Sequence, residues 1–429
     1  MKVGILGLGP VGMSFAYILP KHGHEVYAFD NNPDRMKKLP DGVYACGCEE
    51  EVGAESEFFL GCTDMFSGYA LTRAAKVMEH GTVFSADFSA KTPEQQAFME
   101  AGRDDITYWS IHTLFAPPGM GKPADGSFKG KRIAEIPVSG CWRGDGSEHP
   151  AITEFRETLK VEGASFKKIY TIEDHDRRMG RIQGATSAEN MCTARTLAGL
   201  GINSLRDGSI YSDGHGRVNF QMALRAIGEE GSSNPVVYGG IVIMNPYALM
   251  DITEYSDTLE WLIRIVREDP KEAAAMLRHA GGALGRGRIE EALALWKTKF
   301  ESDFGPPGGG RNSKSSHLAE TLLWSQPGYP MDMFADISAP PYRMREMLAL
   351  IALSEHDCCL ANMRRGDTHD EDFLDVLKEY AEWATRAAAE KNRQAITELE
   401  KRFFAPVRLA FPDDIKGIGV KTNDLIGRI

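Results

Sequence analysis

Short β-prone runs recur along the first part of the chain, at 3–6, 26–29, 58–61, 83–86, 107–111, 132–137 and 167–170. The segments between most of them carry helical spacing. Strands alternating with helices predict a parallel, doubly wound sheet. Beyond position 171 the pattern changes abruptly. Apolar residues then recur at helical intervals over 173–205, 236–268, 270–300, 314–328, 341–361 and 370–403, with almost no β signal. The expectation is an α/β domain over 1–171 and a mostly α-helical domain over 172–429. Stretches such as "VVYGGIVIMNPYALMDITEY" need apolar cover, which a second copy or the domain's own interior would supply. Dimerisation through these helices is the expected arrangement.

The first turn is the most informative stretch. Gly7, Gly9 and Gly12 form G-x-G-x-x-G between the first β run and a helical segment, and the next β run ends on Asp30. The three glycines serve different purposes, which are a tight turn, close approach of a pyrophosphate, and close packing of helix on strand. The helix start, with Pro10 and Val11, presents N–H groups and a partial positive charge to phosphate. Asp30 is placed to accept the adenosine ribose hydroxyls and to repel a 2′-phosphate. The fold expected is therefore a Rossmann domain with NAD as cofactor. An ordinary βαβ turn is the alternative, and Arg35 is the residue able to reverse the preference against NADP.

Composition narrows the class. The chain has 429 residues, a net charge of −12, 42% hydrophobic and 26% charged residues. Length favours two domains, and the acidic balance argues against nucleic acid. Seven cysteines without a C-x-x-C pair predict reduced thiols. No apolar run approaches the roughly 20 residues of a membrane span, and no leader is expected before the first strand. A soluble, cytoplasmic protein is expected. "ESDFGPPGGGRNSKSSHLAE" lacks the G-K-[ST] core of a P-loop and is expected to be a loop. No metal site is evident: His317, His356 and His369 lack ligand spacing.

In a doubly wound sheet, ligands lie at the carboxyl ends of strands. Ser89, in "SADFSAKTPE", and His112, in "YWSIHTLFAPPG", both follow such ends. A near-neutral histidine can take an alcohol proton while hydride leaves the carbinol carbon, and Ser89 could orient the same hydroxyl. Taken alone, His112 is equally readable as a structural histidine.

With these motifs in order, the chain resembles the prephenate dehydrogenase family, particularly its longer, eukaryote-type members. The resemblance rests on the glycine fingerprint, Ser89-Ala90-Lys91, His112-Thr113-Leu114-Phe115-Ala116-Pro117, and Asp174-His175-Asp176 with Gln183. "VNFQMALR", "GGIVIMNPYA" and "SHLAETLLW" resemble the family's helical domain. It implies NAD-dependent oxidative decarboxylation of prephenate, in tyrosine biosynthesis. His112 would be the base, Ser89 the ligand of the substrate hydroxyl, Arg225 the partner of a carboxylate, and Gln183 part of the pocket wall. His175 is expected to cap its helix or contact the other domain. Departures are Thr113 for a proline, Ala116 for a glycine, and Ser187 where many relatives carry a substrate-contacting histidine. Ser187, with Glu189 nearby, leaves arogenate or a 4-amino analogue as alternative substrates. Two rivals remain. A β-hydroxyacid dehydrogenase would need a lysine where this chain has Arg177, Arg178 and Arg181, and an NAD-binding redox sensor would have no use for Ser89, His112 and Arg225 together.

Overall fold

The computed structural model describes residues 1–114, 128–201, 214–228, 234–304, 314–325, 340–365 and 369–416. The chain divides into two compact units, Met1–Met179 and Gly180–Ile429. The first is an α/β Rossmann arrangement and the second is helical among its described residues.

The first unit holds one sheet of β1 (Lys2–Leu6), β2 (Glu25–Phe29), β3 (Val43–Ala45), β4 (Phe58–Gly61), β5 (Val83–Ala86), β6 (Thr107–Thr113), β7 (Arg132–Ser139) and β8 (Ser165–Lys168). Their order is β3-β2-β1-β4-β5-β6-β7-β8. β1 is flanked by β2 and β4, both parallel to it, so the winding reverses there. That reversal opens a crevice at the carboxyl ends of β1 and β4, where doubly wound sheets take their ligands.

β7 runs two residues further than expected and β8 starts two residues earlier, and the sheet departs from the expected pattern more consequentially in three places. β3 was not legible, because only three half-exposed or exposed residues form it. β6 runs two residues further than expected and takes in His112 and Thr113. β7 pairs antiparallel to β6. A parallel partner needs a crossover of a dozen or more residues, usually helical, and the Gly- and Pro-rich sequence between the two strands offers no helical pattern.

Adjacent aromatics explain how the sheet is covered on both faces. Successive strand residues point to opposite sides, so the doublets Phe58-Phe59 and Tyr108-Trp109 each feed two layers. On one face Phe155, from helix Pro150–Val161, stacks on Phe58 at 4.4 Å between ring centres and meets Phe15 at 5.8 Å and Trp109 at 6.0 Å. On the other, Phe84 lies 5.6 Å from Phe59, and Phe98 lies 4.6 Å from Tyr108.

In the second unit the two longest helices, Ala248–Glu268 and Asp370–Glu390, pack on each other. Helix Thr186–Gly199 packs on the latter and on helix Gly214–Ile227. The helix expected over 173–205 is interrupted by a π-helical turn, Gly180–Ala185. Two glycines admit the crossing helix there. A Cβ on Gly180 would stand 2.9 Å from the Ala248 nitrogen, and one on Gly184 would stand 2.7 Å from the Ala248 Cβ. The stretch expected as a loop, 301–320, is helical at both ends, in Glu301–Phe304 and Lys314–Trp324, and its middle, 305–313, lies outside the described residues. Among the described residues no single helix is long and apolar enough to cross a membrane.

Phe155 is the ring on which one aromatic layer converges. Phe155→Ala should destabilise the first unit by about 3–5 kcal/mol. The check is the denaturant midpoint of that unit's unfolding transition, which should fall without a change in slope.

Candidate active site

The glycine turn is shaped by sterics that only glycine satisfies. Gly7 has φ of +95°, and a Cβ there would stand 2.7 Å from the Cys62 carbonyl oxygen. At Gly12 a Cβ would fall 1.9 Å from the Gly7 oxygen, so helix Pro10–Ile18 sits against its strand only because position 12 has no side chain. Gly9 is different: nothing lies within 4 Å of the space its Cβ would fill. It is the N-cap of the helix, and no side chain caps the helix start, where Pro10 occupies the first turn. Open ground in front of a helix N-terminus is what a phosphate requires.

Asp30, at the end of β2, is buried and ties this turn together. Its Oδ2 accepts the Leu8 N–H at 2.6 Å and the Arg35 Nη1 at 3.0 Å, while Oδ1 accepts the Asn32 N–H at 2.8 Å. A carboxylate has about four acceptor positions, so room for a hydroxyl remains. Arg35, whose side chain is 40% exposed, is thus held against the very carboxylate expected to repel a 2′-phosphate.

A second constellation forms at the ends of β5 and β6. His112 does not follow its strand but lies within β6, opposite Ala134 of β7, and is buried. Its Nδ1 is 2.9 Å from Nε2 of His175, and the His175 Nδ1 is 2.9 Å from Oδ1 of Asp176. His175, expected to cap its helix or contact the other domain, is a fully buried link in a chain of side chains. The histidine tautomers follow from the network. Asp176 receives the Lys91 N–H at 2.6 Å, the Thr92 N–H at 2.7 Å and the Thr92 hydroxyl at 2.7 Å. It is therefore an ionised acceptor, and His175 must donate to it from Nδ1. The His175 Nε2 is left with a lone pair, His112 donates to that from Nδ1, and the His112 Nε2 is left as a base.

The electrostatics agree. Burial alone would raise the Asp176 carboxyl, but His175, by hydrogen bond and by charge, with the Lys91 and Thr92 donors, holds it below the usual range. Burial lowers His175 despite its Asp176 partner. Burial, then the charges of His175 and Lys91, push His112 well below an ordinary histidine. Both rings are neutral at rest.

Lys91 organises this corner and was named in the sequence only as part of a motif. Its side chain is fully buried, and Nζ donates to Glu94 at 2.8 Å, to the Ala86 carbonyl at 3.0 Å and to the Ile111 carbonyl. Those carbonyls end β5 and precede His112 on β6. Asp87 makes a second clasp, accepting the Thr113 N–H at 2.8 Å and hydroxyl at 2.6 Å. Ser89 lies half-buried on the segment these clasps hold, between β5 and helix Thr92–Ala101.

The remaining expected site residues belong to the second unit. Gln183 is in the π turn and Ser187 starts the following helix; both are buried, and the Gln183 Oε1 has no hydrogen-bond partner among the described residues. Arg225 is half-buried on helix Gly214–Ile227. Glu189 is buried against Arg345 at 3.0 Å, a pairing no local sequence signal announces. Phe115, Ala116 and Pro117 lie outside the described residues. Among the described residues no group of three or more His, Cys, Asp or Glu side chains is arranged to hold a metal ion.

No protein-family model matches the chain, and no curated protein matches it. Among solved structures it is similar to prephenate dehydrogenase from A. aeolicus in complex with hydroxyphenyl propionate and NAD+, at TM-score 0.51 and 17% identity, over 65% of this chain and 95% of that one. It is also similar to Synechocystis arogenate dehydrogenase, at TM-score 0.43 and 17% identity over 66% and 98% of the two chains. The first likeness shows a shared fold.

The tautomer chain makes a direct prediction. Imidazole ¹⁵N spectra should report a protonated Nδ1 and an unprotonated Nε2 at both His112 and His175 at neutral pH. Asp176→Asn should perturb the His175 signals, and leaving a buried donor unsatisfied should cost about 1–3 kcal/mol.

Proposed function

We propose that the chain is an NAD-dependent dehydrogenase that oxidatively decarboxylates a cyclohexadienyl substrate, with prephenate first and arogenate or a 4-amino analogue as alternatives. The observation that carries this reading is the buried His112–His175–Asp176 chain, which leaves a lone pair on the His112 Nε2 at a strand end of a Rossmann sheet. The similar A. aeolicus structure holds NAD+ and a hydroxyphenyl acid. The residues present suit the dinucleotide. Gly9 leaves an open cradle at an uncapped helix start, and Asp30 keeps acceptor capacity for a ribose. Bound there, NAD would supply the hydride acceptor.

The protein's own groups take the proton, hold the strand ends and orient the substrate. His112 takes the proton of the 4-hydroxyl at Nε2 as hydride leaves ring C4. The ring carboxylate then departs as carbon dioxide, its bonding electrons entering the ring, and the resulting phenolate oxygen retakes the proton. A buried imidazole is a weak base on its own. Here the Nδ1 proton can shift to the His175 Nε2, which moves the positive charge beside Asp176. Lys91 and Asp87 keep the strand ends in place, so little reorganisation accompanies the transfer. Ser89 is assigned to orient the hydroxyl, Arg225 to pair with a substrate carboxylate, and Gln183 and Ser187 to the pocket wall. A homodimer completes the reading, and the seven free cysteines suit the cytoplasm.

His112→Asn keeps a polar tip but removes the base. Its kcat should fall by roughly 10²–10⁴ with the dissociation constant for NAD unchanged; a near-normal kcat would show that another group takes the proton. Because burial holds His112 below the ordinary histidine range, the neutral, active form persists as pH falls past about 6.5. The pH profile of kcat/KM should therefore be flat from about 8 down to about 6.5 and lose activity only further into acid. Arg225→Ala, in the same assay, should raise KM for prephenate and leave KM for NAD alone.

Cofactor choice turns on Asp30. NAD should be used better than NADP, and equal or better kcat/KM with NADP would reject the assignment. Arg35→Ala should sharpen the preference, since it strips the countercharge from Asp30. Asp30→Ala should narrow it, since it releases Arg35 toward a 2′-phosphate.

A further inference from the structure

The carboxyl ends of five neighbouring strands form a row across the point where the winding reverses. Asp30 follows β2, Gly7 follows β1, Cys62 follows β4, Asp87 follows β5, and Thr113 ends β6. Neighbouring strands lie about 4.8 Å apart, so each step along the row is short. Backbone hydrogen bonds fix the steps. The Cys62 N–H donates to the Leu6 carbonyl at 2.7 Å, the Asp87 N–H donates to the Gly61 carbonyl at 2.8 Å, and Asp87 bridges to Ile111 of β6. Cys62 also packs on the glycine turn, its Cβ 3.1 Å from the place a Gly12 Cβ would take.

A dinucleotide lies across such a reversal with one nucleoside on each side of its pyrophosphate. With the pyrophosphate at Gly9 and the adenosine ribose at Asp30, the nicotinamide half runs the other way, past Cys62 toward Asp87. This placement rests on the function proposed above, and it brings the ring to the strand ends that carry His112. Asp87 is half-buried there. Its two oxygens accept the Thr113 N–H and the Thr113 hydroxyl, and among the described residues it has no ion-pair partner. Lys91, the nearby cation, directs its hydrogen bonds to Glu94 and to the Ala86 and Ile111 carbonyls, and none reaches Asp87. Burial pushes the Asp87 carboxyl up, against the Lys91 charge and the two Thr113 donors. Burial and then the Asp87 charge push the Cys62 thiol up in turn.

We propose that Asp87 reads the oxidation state of the cofactor and holds NAD+ in preference to NADH. The oxidised nicotinamide ring carries a positive charge and the reduced ring carries none, so the carboxylate stabilises only the first. Thr113 has a part in this. A proline at that position would offer neither the N–H nor the hydroxyl that hold the carboxylate in place. The preference suits a reaction that ends in carbon dioxide and an aromatic ring, because the reduced cofactor then leaves readily once the step is complete.

The test is equilibrium binding of NAD+ and of NADH to the full-length protein at pH 8, by calorimetry and without substrate. Asp87→Asn keeps the shape, since the new amide can accept the Thr113 N–H and donate to the Thr113 hydroxyl oxygen. It should weaken NAD+ binding about 10-fold, the effect of one unit charge several ångströms away in a partly buried site, and change NADH binding by less than about 2-fold. Asp87→Ser, a smaller neutral variant, should show the same selective loss. Thr113→Val removes the hydroxyl but leaves the charge, and it should keep the wild-type ratio of the two dissociation constants. A wild-type ratio in both Asp87 variants, or an equal change of ratio in Thr113→Val, would overturn the proposal. A wild type that binds neither form would overturn the cofactor placement beneath it.

Discussion

The arrangement at the candidate active site depends on one carboxylate. Asp176 is buried, yet it stays ionised because backbone N–H groups of Lys91 and Thr92, the Thr92 hydroxyl and the His175 ring all donate to it. Its charge is a cap for the start of helix Thr92–Ala101 and a fixed pole for the histidine chain. Remove it and the preference of His175 for one tautomer goes, and with that the lone pair on His112. A single buried anion therefore sets both a helix start and the protonation pattern of groups some distance along the chain.

Around that anion the first unit is built to keep its strand ends still. Lys91 is a fully buried cation whose donors are spent on Glu94 and on carbonyls of β5 and β6. A lone buried ammonium would be untenable, but one shared by two strand ends and a carboxylate becomes a clamp. Asp87 and Thr113 repeat the device one step further along β6. The paired aromatic layers on both faces of the sheet supply the rigidity behind these clasps, and Gly7, Gly9 and Gly12 bring a helix N-terminus to the same edge.

The helical unit solves a different problem less completely. Its buried Arg345 meets Glu189 and one oxygen of Glu320, and the other Glu320 oxygen, on a residue beside a small cavity, has no hydrogen-bond partner among the described residues. The π turn at Gly180–Ala185 lines part of that cavity, at the place where Gly180 and Gly184 let helix Ala248–Glu268 approach closely. Such turns often mark functional sites in helices. Here the turn carries both Gln183 and part of the cavity wall.

What the sequence determined by itself was whatever depends on neighbours along the chain. Period-2 and period-3.6 patterns announced most strands of the sheet and most of the helices, because those periods follow from the geometry of a single element. The glycine turn was legible for the same reason: its steric demands are met within a few residues, with Asp30 following at the end of the next strand. Tertiary structure decided the rest. β3 is too short and too exposed to leave a pattern, and the antiparallel β7 follows from the route of the chain rather than from its own residues. His175 was expected to cap its helix or contact the other domain, and its partner stayed unread because His112 is 63 positions away and nothing local distinguishes a ring that caps from one that relays. Arg345 and Glu189 are 156 positions apart. Pairings at such separations are written in the packing of whole elements, where burial brings an ordinary arginine and two ordinary glutamates into one cluster.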